Sequence, residues 1–338
     1  MIAAAPAAIA LLLVLGPRAA AGCDCSYPRA PPGDWANGSV LDLRQSVAEA
    51  DFDEVLLARL HSNQTRHTEG GRERPMYAPP ITTQVAFWFE PSRISPLPCS
   101  DGSRGEDSVV LRTFFFDALH RPMLSADATF VEIGANDGML ESTTLFFERC
   151  LGWRGALIEP HPYTYARLRA APRRATKIRA AVCAERGNVT MSFHDGTAAE
   201  VVPKGVRGLA APCAPLSELL AEVPAIRRTG RVDFLSLDVQ GAEPLAARTL
   251  GTELSYGVVM AEAEAGPRRI ETVLPLLARG FRYAGQIAAR PSPANYVTSD
   301  VFYNESHFRR FWPNAAHRRH GVQALGAPAP RLRPGRPP

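Results

Sequence analysis

The chain has 338 residues, of which 46% are hydrophobic and 21% charged, with 38 basic and 34 acidic residues and a net charge of +4. This composition supports a packed core and argues against wholesale disorder, and the length suits one large domain with extensions or two domains. No apolar run reaches the roughly 20 residues of an ordinary membrane span, which argues against a multi-span membrane protein. Setting aside Arg18 and the five arginines of the acid-free segment 313–338 leaves 32 basic against 34 acidic residues. A near-neutral body lacks the phosphate-attracting excess of a nucleic-acid binder, so no nucleic-acid partner is expected.

Taken in chain order, residues 2–16 are apolar and are followed by Arg18 and the small-residue stretch Ala19-Ala20-Ala21-Gly22. Segment 1–21 is therefore expected to be a signal peptide cleaved after Ala21, or a short anchor. Membrane contact is expected only through that segment if it stays uncleaved. Sequons begin at Asn37, Asn63, Asn188 and Asn304, and the six cysteines are Cys23, Cys25, Cys99, Cys150, Cys183 and Cys213. An even cysteine set with sequons agrees with the secretory pathway, in the ER or Golgi lumen or outside the cell. Cys183 and Cys213 are predicted to pair because they bracket one excursion between two predicted strands. The chain has no C-x2-C pair and no histidines spaced beside the cysteines, so no metal site is expected.

Residues 22–104 read as an irregular lead bearing cysteine, proline and glycine, with helical spacing only in Val40–Leu60. A helix is predicted over Gly105–Leu119. From Ala128 the pattern alternates: strand Thr129–Ile133, helix Glu141–Cys150, strand Gly155–Ile158, helix Tyr163–Ala171, strand Lys177–Val182, and an extra strand Val189–His194. Helix Leu216–Val223, strand Val232–Leu237, helix Ala242–Leu250, strand Tyr256–Ala261 and helix Arg268–Arg279 follow, with closing strands Gly280–Gly285 and Tyr296–Tyr303. This order implies an α/β fold with a doubly wound, mostly parallel sheet and a closing strand, a domain over 105–312 and a disordered Pro/Arg tail over 313–338. Trp153, Phe146, Phe147 and Phe234 are expected in the core.

Doubly wound sheets bind ligands beyond the C-terminal ends of their strands. After the first strand comes Glu132-Ile133-Gly134-Ala135-Asn136-Asp137-Gly138, whose glycines allow a tight turn and close backbone approach. After the second comes Glu159, placed to accept from two ribose hydroxyls or, alternatively, to cap the next helix. After the later strands come Asp238 and then Glu262 and Glu264, of which only one can face the pocket. Three acids at successive strand ends with one glycine loop suit a ligand with ribose hydroxyls and positive charge. Neither a P-loop nor a G-x-S-x-G elbow occurs, which argues against a nucleoside triphosphatase and a serine hydrolase.

The segment 130–168, Ala180–Cys183, 211–220 and 233–243 resemble the FkbM-type methyltransferases, from about Gly105 to about Phe302; GEDSVVLRTFF at 105–115 also resembles the Star-like secretory branch. The resemblance implies a Rossmann-like class I fold and S-adenosylmethionine as cofactor. It implies that Glu132, Gly134, Asn136 and Gly138 wrap the methionine part, that Glu159 accepts from the ribose, and that Ala181 and Val182 border the adenine. Asp238 would lie near the methionine amine and the acceptor hydroxyl. It is the first candidate for the proton acceptor and is equally suited to cofactor or cap duty, with His161, Glu262 and His194 behind it. The family commonly has Asp-Val-Glu-Gly where this chain has Asp238-Val239-Gln240-Gly241. Two functions follow: O-methylation of a sugar or other small hydroxyl compound, or a catalytically silent fold used to bind or traffic a protein cargo.

Overall fold

The computed structural model describes residues 88–89, 105–117, 122–194, 199–203, 205–263, 267–288 and 297–315. The expected signal or anchor, nearly all of the lead with its Val40–Leu60 helix, Glu264 and the tail beyond Ala315 lie outside the described residues.

Parallel strands are covered on both faces, and the central strands of this sheet are buried almost throughout, the charged residues Glu132, Arg231 and Asp233 included. Strand β2 (Thr129–Ile133) and β8 (Arg231–Leu237) are buried at every position, and β3 (Arg154–Ile158) at all but its first. With β1 (Trp88–Phe89), β4 (Thr176–Ile178), β9 (Ser255–Glu262), β10 (Arg282–Ala288) and β11 (Val297–Tyr303) they form an eight-stranded sheet in the order β1-β10-β11-β9-β8-β2-β3-β4. Strands β4, β3, β2, β8 and β9 are parallel, and β11 is inserted antiparallel to both β9 and β10. The chain moves outward from β2 to β4 and then returns to place β8 on the other side of β2, which makes the β2/β8 boundary the switch point. The doubly wound, mostly parallel sheet with its antiparallel closing strand is therefore present.

The helices cover both faces. Helices α1 (Glu106–Phe114), α2 (Leu145–Arg149) and α3 (Pro162–Ala170) pack with α8 (Glu305–Phe311) around a cluster that includes Phe115, Phe130, Phe147, Trp153, Phe234 and Trp312. Helices α4 (Leu216–Ala221), α5 (Pro224–Thr229), α6 (Glu243–Arg248) and α7 (Pro267–Ala278) cover the opposite cluster, which includes Val131, Ile133, Leu235 and Leu237. Alternate residues of β2 thus feed opposite cores, the period-two consequence of strand geometry. Trp153 meets Phe115 edge-on with ring centroids 4.9 Å apart, so the expected aromatic core is observed.

Several expected elements change. The helix predicted over Glu141–Cys150 shrinks to Leu145–Arg149, because residues 142–144 are drawn into hydrogen bonds with Glu132 and Glu141 takes a left-handed φ of 60°. The strand predicted over Lys177–Val182 splits. Thr176–Ile178 stays in the main sheet, whereas β5 (Ala181–Val182) pairs with β7 (Leu209–Ala214) in a second sheet of order β5-β7-β6, where β6 is Gly187–Met191. Strand β7 and helices α5 and α8 were not anticipated. The Cys183–Cys213 disulfide is formed, with its Cα atoms 5.6 Å apart, and it ties the end of β5 to β7. Cys150 is also disulfide-bonded.

Candidate active site

The register of the parallel strands builds the site. Ile133 pairs with Ile158 on one side and with Leu237 on the other, and Leu237 pairs with Ala261. The next residue along each strand, or the last, is Gly134, Glu159, Asp238 and Glu262. Four positions scattered through the sequence therefore line one edge of the sheet, across the switch point.

The loop after β2 is held tightly against β8. Gly134 has φ 78°, and a Cβ there would stand 1.7 Å from the Asp238 carbonyl oxygen, so no side chain fits. Its N–H and that of Ala135 both donate to the Ile158 carbonyl, at 3.0 and 3.1 Å, and the Asp238 N–H donates to the Ile133 carbonyl at 3.2 Å. Asn136 is left-handed at φ 48°, a conformation that asparagine tolerates better than most residues.

Glu159 faces this loop. One carboxylate oxygen accepts from the Asn136 N–H at 3.1 Å and the other from the His161 N–H at 2.9 Å. Burial pushes its carboxyl up to about 7, opposed by those two N–H donors and by Arg167. His161 lies directly beyond it, but its ring does not join the row. It is fully buried as the N-cap of α3, with Nδ1 3.2 Å from Thr164 Oγ1 and accepting from the Thr164 N–H. The sequence expectation of a base is thus replaced by a cap, which the two flanking prolines hold in extended geometry. His194 is exposed beyond β6 and is not part of the row either.

Glu132 is placed beneath the loop instead of along the edge. Its carboxylate accepts from Ser142 Oγ, the Thr143 N–H and Thr144 Oγ1, and burial raises its pKa against the opposing pull of Arg173. The buried Arg173 guanidinium donates to the Gly138 carbonyl, Ser142 Oγ, Thr144 Oγ1 and Glu148. A buried Glu132–Arg173–Glu148 network thus sets the path of residues 138–144. The sequence reading missed Arg173, because nothing local marks an arginine just past a helix as the support of a distant loop. Gly138 has φ 75°, a backbone conformation that strains any residue with a Cβ, and a Cβ there would also press on the Leu168 side chain.

The β8/β9 side of the row is acidic. The Gln240 side chain donates to Asp238 at 3.1 Å and to Glu262 at 3.3 Å. Ligand atoms of Asp238, Glu243 and Glu262 all lie within 4.8 Å of one another. The buried Glu243 carboxylate also accepts from the Val239 and Gly241 N–H groups, at 2.7 and 2.9 Å. Ala181 and Val182 are buried in β5, one turn of chain beyond β4 and therefore off the row itself. A recess of 530 Å³ lined by Asp117, Met123, Leu124, Phe311 and Trp312 lies instead near the starts of the strands.

The residues present fit a cofactor with vicinal hydroxyls and a positive charge: Glu159 is an acceptor at one end of the row, and Asp238 and Glu262 supply negative charge at the other. No curated protein matches the chain. Among solved structures it is similar to an O-methyltransferase from Bacillus cereus in complex with SAH, at 11% identity over 77% of this chain and 93% of that one, with a TM-score of 0.34. It is similar to a precorrin-6y C5,15-methyltransferase from Geobacter metallireducens GS-15, at 15% identity over 63% and 92% of the two chains, with a TM-score of 0.30. A methyltransferase from Pyrococcus furiosus gives 11% identity over 74% and 98%, with a TM-score of 0.30. Residues 132–247, which contain the glycine loop, Glu159 and Asp238, match the family described as Methyltransferase FkbM domain. Over that span, about a third of the chain, the sequence is similar to the FkbM methyltransferase family.

Proposed function

We propose that the protein is an S-adenosylmethionine-dependent O-methyltransferase that acts on a hydroxyl of a sugar or other small molecule in the secretory pathway. The observation that carries this reading is the in-register row of Gly134, Glu159, Asp238 and Glu262 at the switch point. Bound S-adenosylmethionine supplies an electrophilic methyl group on a sulfonium. Glu159 accepts from the ribose hydroxyls, and the backbone of Gly134, Asn136 and Gly138 makes room for the methionine part. Ala181 and Val182 border the adenine. Asp238 holds the acceptor hydroxyl and takes its proton, with one carboxylate oxygen engaged by Gln240 and the other available for that proton. Positioning the hydroxyl in line with the methyl provides much of the rate. The apolar N-terminal segment, the sequons and the Cys183–Cys213 disulfide support a luminal compartment.

A second reading is a silent methyltransferase fold that binds or traffics a protein cargo. Gln240 favours it, since the family commonly carries a glutamate there and a glutamine has no base function. Calorimetry of the full chain with S-adenosylmethionine separates the two. Saturable binding together with transfer of radiolabelled methyl to a panel of saccharides supports the enzyme. An absence of heat at millimolar cofactor overturns it. The Asp238→Ala variant is expected to bind the cofactor and to transfer no label.

A further inference from the structure

Strand β6 contains the sequon Asn188-Val189-Thr190 and is an outer strand of the sheet β5-β7-β6. Residues two apart on a strand share a face, so Asn188 and Thr190 lie on one side, and Val189 and the buried Met191 on the other. Register with β7 extends the first face: Asn188 is opposite Pro212, and Thr190 is opposite Ala210. Asn188, Ala210 and Pro212 are exposed, whereas Ala211 between the last two is buried. An asparagine with only a proline ring and a methyl group beside it on an open face has room for a bulky substituent. Among the described residues its side-chain amide makes no hydrogen bond. Asn304, which opens the other sequon of the domain, differs. It is half-buried, and its Oδ1 accepts from the Ser306 and His307 N–H groups, at 3.0 and 3.3 Å, as the cap of α8.

The same small sheet holds the Cys183–Cys213 disulfide, and Cys213 is opposite Gly187, the residue before Asn188. We propose that Asn188, in preference to Asn304, is the N-glycan acceptor of this domain, a modification that rests on the luminal compartment proposed above. The Asn188 Nδ2 attacks the anomeric carbon of an oligosaccharide carried on a polyprenyl diphosphate. A new C–N bond replaces the C–O bond to the diphosphate, which leaves with its lipid, and the amide gives up one proton. Thr190 supplies the hydroxyl that the sequon requires. The strand order puts Asn188 two strands, about 10 Å, from Ala181 and Val182, so a glycan there leaves the cofactor wall clear. It also covers an open edge. From Thr190 onward the far side of β6 is taken by segment 200–202, with the Val202 N–H donating to the Thr190 carbonyl and the Ser192 N–H to that of Glu200, each at 2.8 Å. Among the described residues, Gly187–Val189 is the stretch left uncovered, and a glycan on Asn188 blocks another strand from pairing with it.

The test expresses the full chain in cultured animal cells, once as it stands and once behind the signal sequence of a secreted protein. Peptide N-glycosidase converts a glycan-bearing asparagine to aspartate, and mass mapping of the tryptic peptide 187–204 reads that change at Asn188. Conversion at Asn188, with Asn304 unconverted, is expected in both chains. Thr190→Ser preserves the sequon and is expected to keep the glycan. Thr190→Val preserves the branched outline without the hydroxyl and is expected to lose it, with the Cys183–Cys213 bond still formed as the check on folding. An unconverted Asn188 in the signal-bearing chain, or a glycan at Asn304 in its place, would overturn Asn188 as the acceptor. Conversion in the signal-bearing chain alone would overturn the luminal compartment and uphold Asn188. Asn188→Gln is expected to raise the self-associated fraction in sedimentation, and an unchanged fraction would overturn the shielding of the edge.

Discussion

Strand β8 carries an aspartate near each end, and the two have opposite fates. Asp233, toward the start of the strand, is fully buried and saturated. It accepts from the Thr129 N–H at 2.8 Å, from Trp312 Nε1 at 2.6 Å, and pairs with His307 at 2.9 Å and Arg231 at 3.2 Å. His307 in turn meets Ser255 Oγ through its other ring nitrogen, so Asp233 fastens α8 and β2 to the sheet. Asp238, just beyond the strand's other end, is exposed and is held by the single side chain of Gln240. Same residue type, same strand: a carboxylate ringed by donors maintains structure, whereas one left open at the ligand edge is available for chemistry.

The contrast breaks most sharply at Asp233. Asp233→Ala leaves His307 Nε2 and Trp312 Nε1 buried without their acceptor, removes the ion-pair partner of Arg231, and is expected to cost about 3–5 kcal/mol, read as a large fall in the urea midpoint. A loss under 1 kcal/mol would mean that the hub is dispensable.

Glu159 sharpens the comparison, because it is buried like Asp233 yet sits on the edge with Asp238. Its carboxyl is raised from 4.5 to about 7 by burial, so the folded chain holds this proton where the unfolded chain has released it. The contribution to folding stability is therefore full in acid and is lost as pH rises from 4.5 through about 7. Binding runs the other way, since only the ionised carboxylate accepts from two hydroxyls. S-adenosylmethionine affinity is expected to rise about ten-fold between roughly pH 6 and pH 8, and Glu159→Gln to flatten that profile in calorimetric titrations. An unchanged slope in the variant would remove Glu159 from the cofactor site.

The smallest effect is the one expected on stability at Asp238. Asp238→Asn keeps an oxygen for Gln240 and lies at the surface, so the urea midpoint should move by no more than about 0.5 kcal/mol in equivalent energy. Methyl transfer by the same variant should fall about a hundred-fold or more. A strongly destabilised Asp238→Asn would show that both ends of β8 serve the fold.

Much of this was legible beforehand, for local reasons. Strands β2, β3, β8 and β9 are mostly apolar segments followed by or ending in a glycine or an acid, and the ends of such segments are where a parallel sheet presents its ligands. The places where the reading went astray share a different cause. Ala181 and Val182 look like the continuation of β4 and instead turn away to pair with Cys213 and Ala214. Strand β7, with a proline inside Leu-Ala-Ala-Pro-Cys-Ala, carries little strand signal of its own. His161, between its prolines after a strand, has the look of a catalytic group and is a helix cap.

The amino-acid sequence by itself determined the alternation of strands and helices, the acids that close the strands and the glycine that must follow β2, because each is written in the period, burial and backbone freedom of a few neighbouring residues. Only the tertiary structure decided which carboxylates are spent and which remain open. Glu132 goes to residues 142–144, Asp233 to α8, and Asp238 and Glu262 to the amide of Gln240. The partners of Asp233 and the Gln240 amide that reaches Glu262 come from other parts of the chain, and a carboxylate's role follows from the donors that folding brings within 3 Å or so of it.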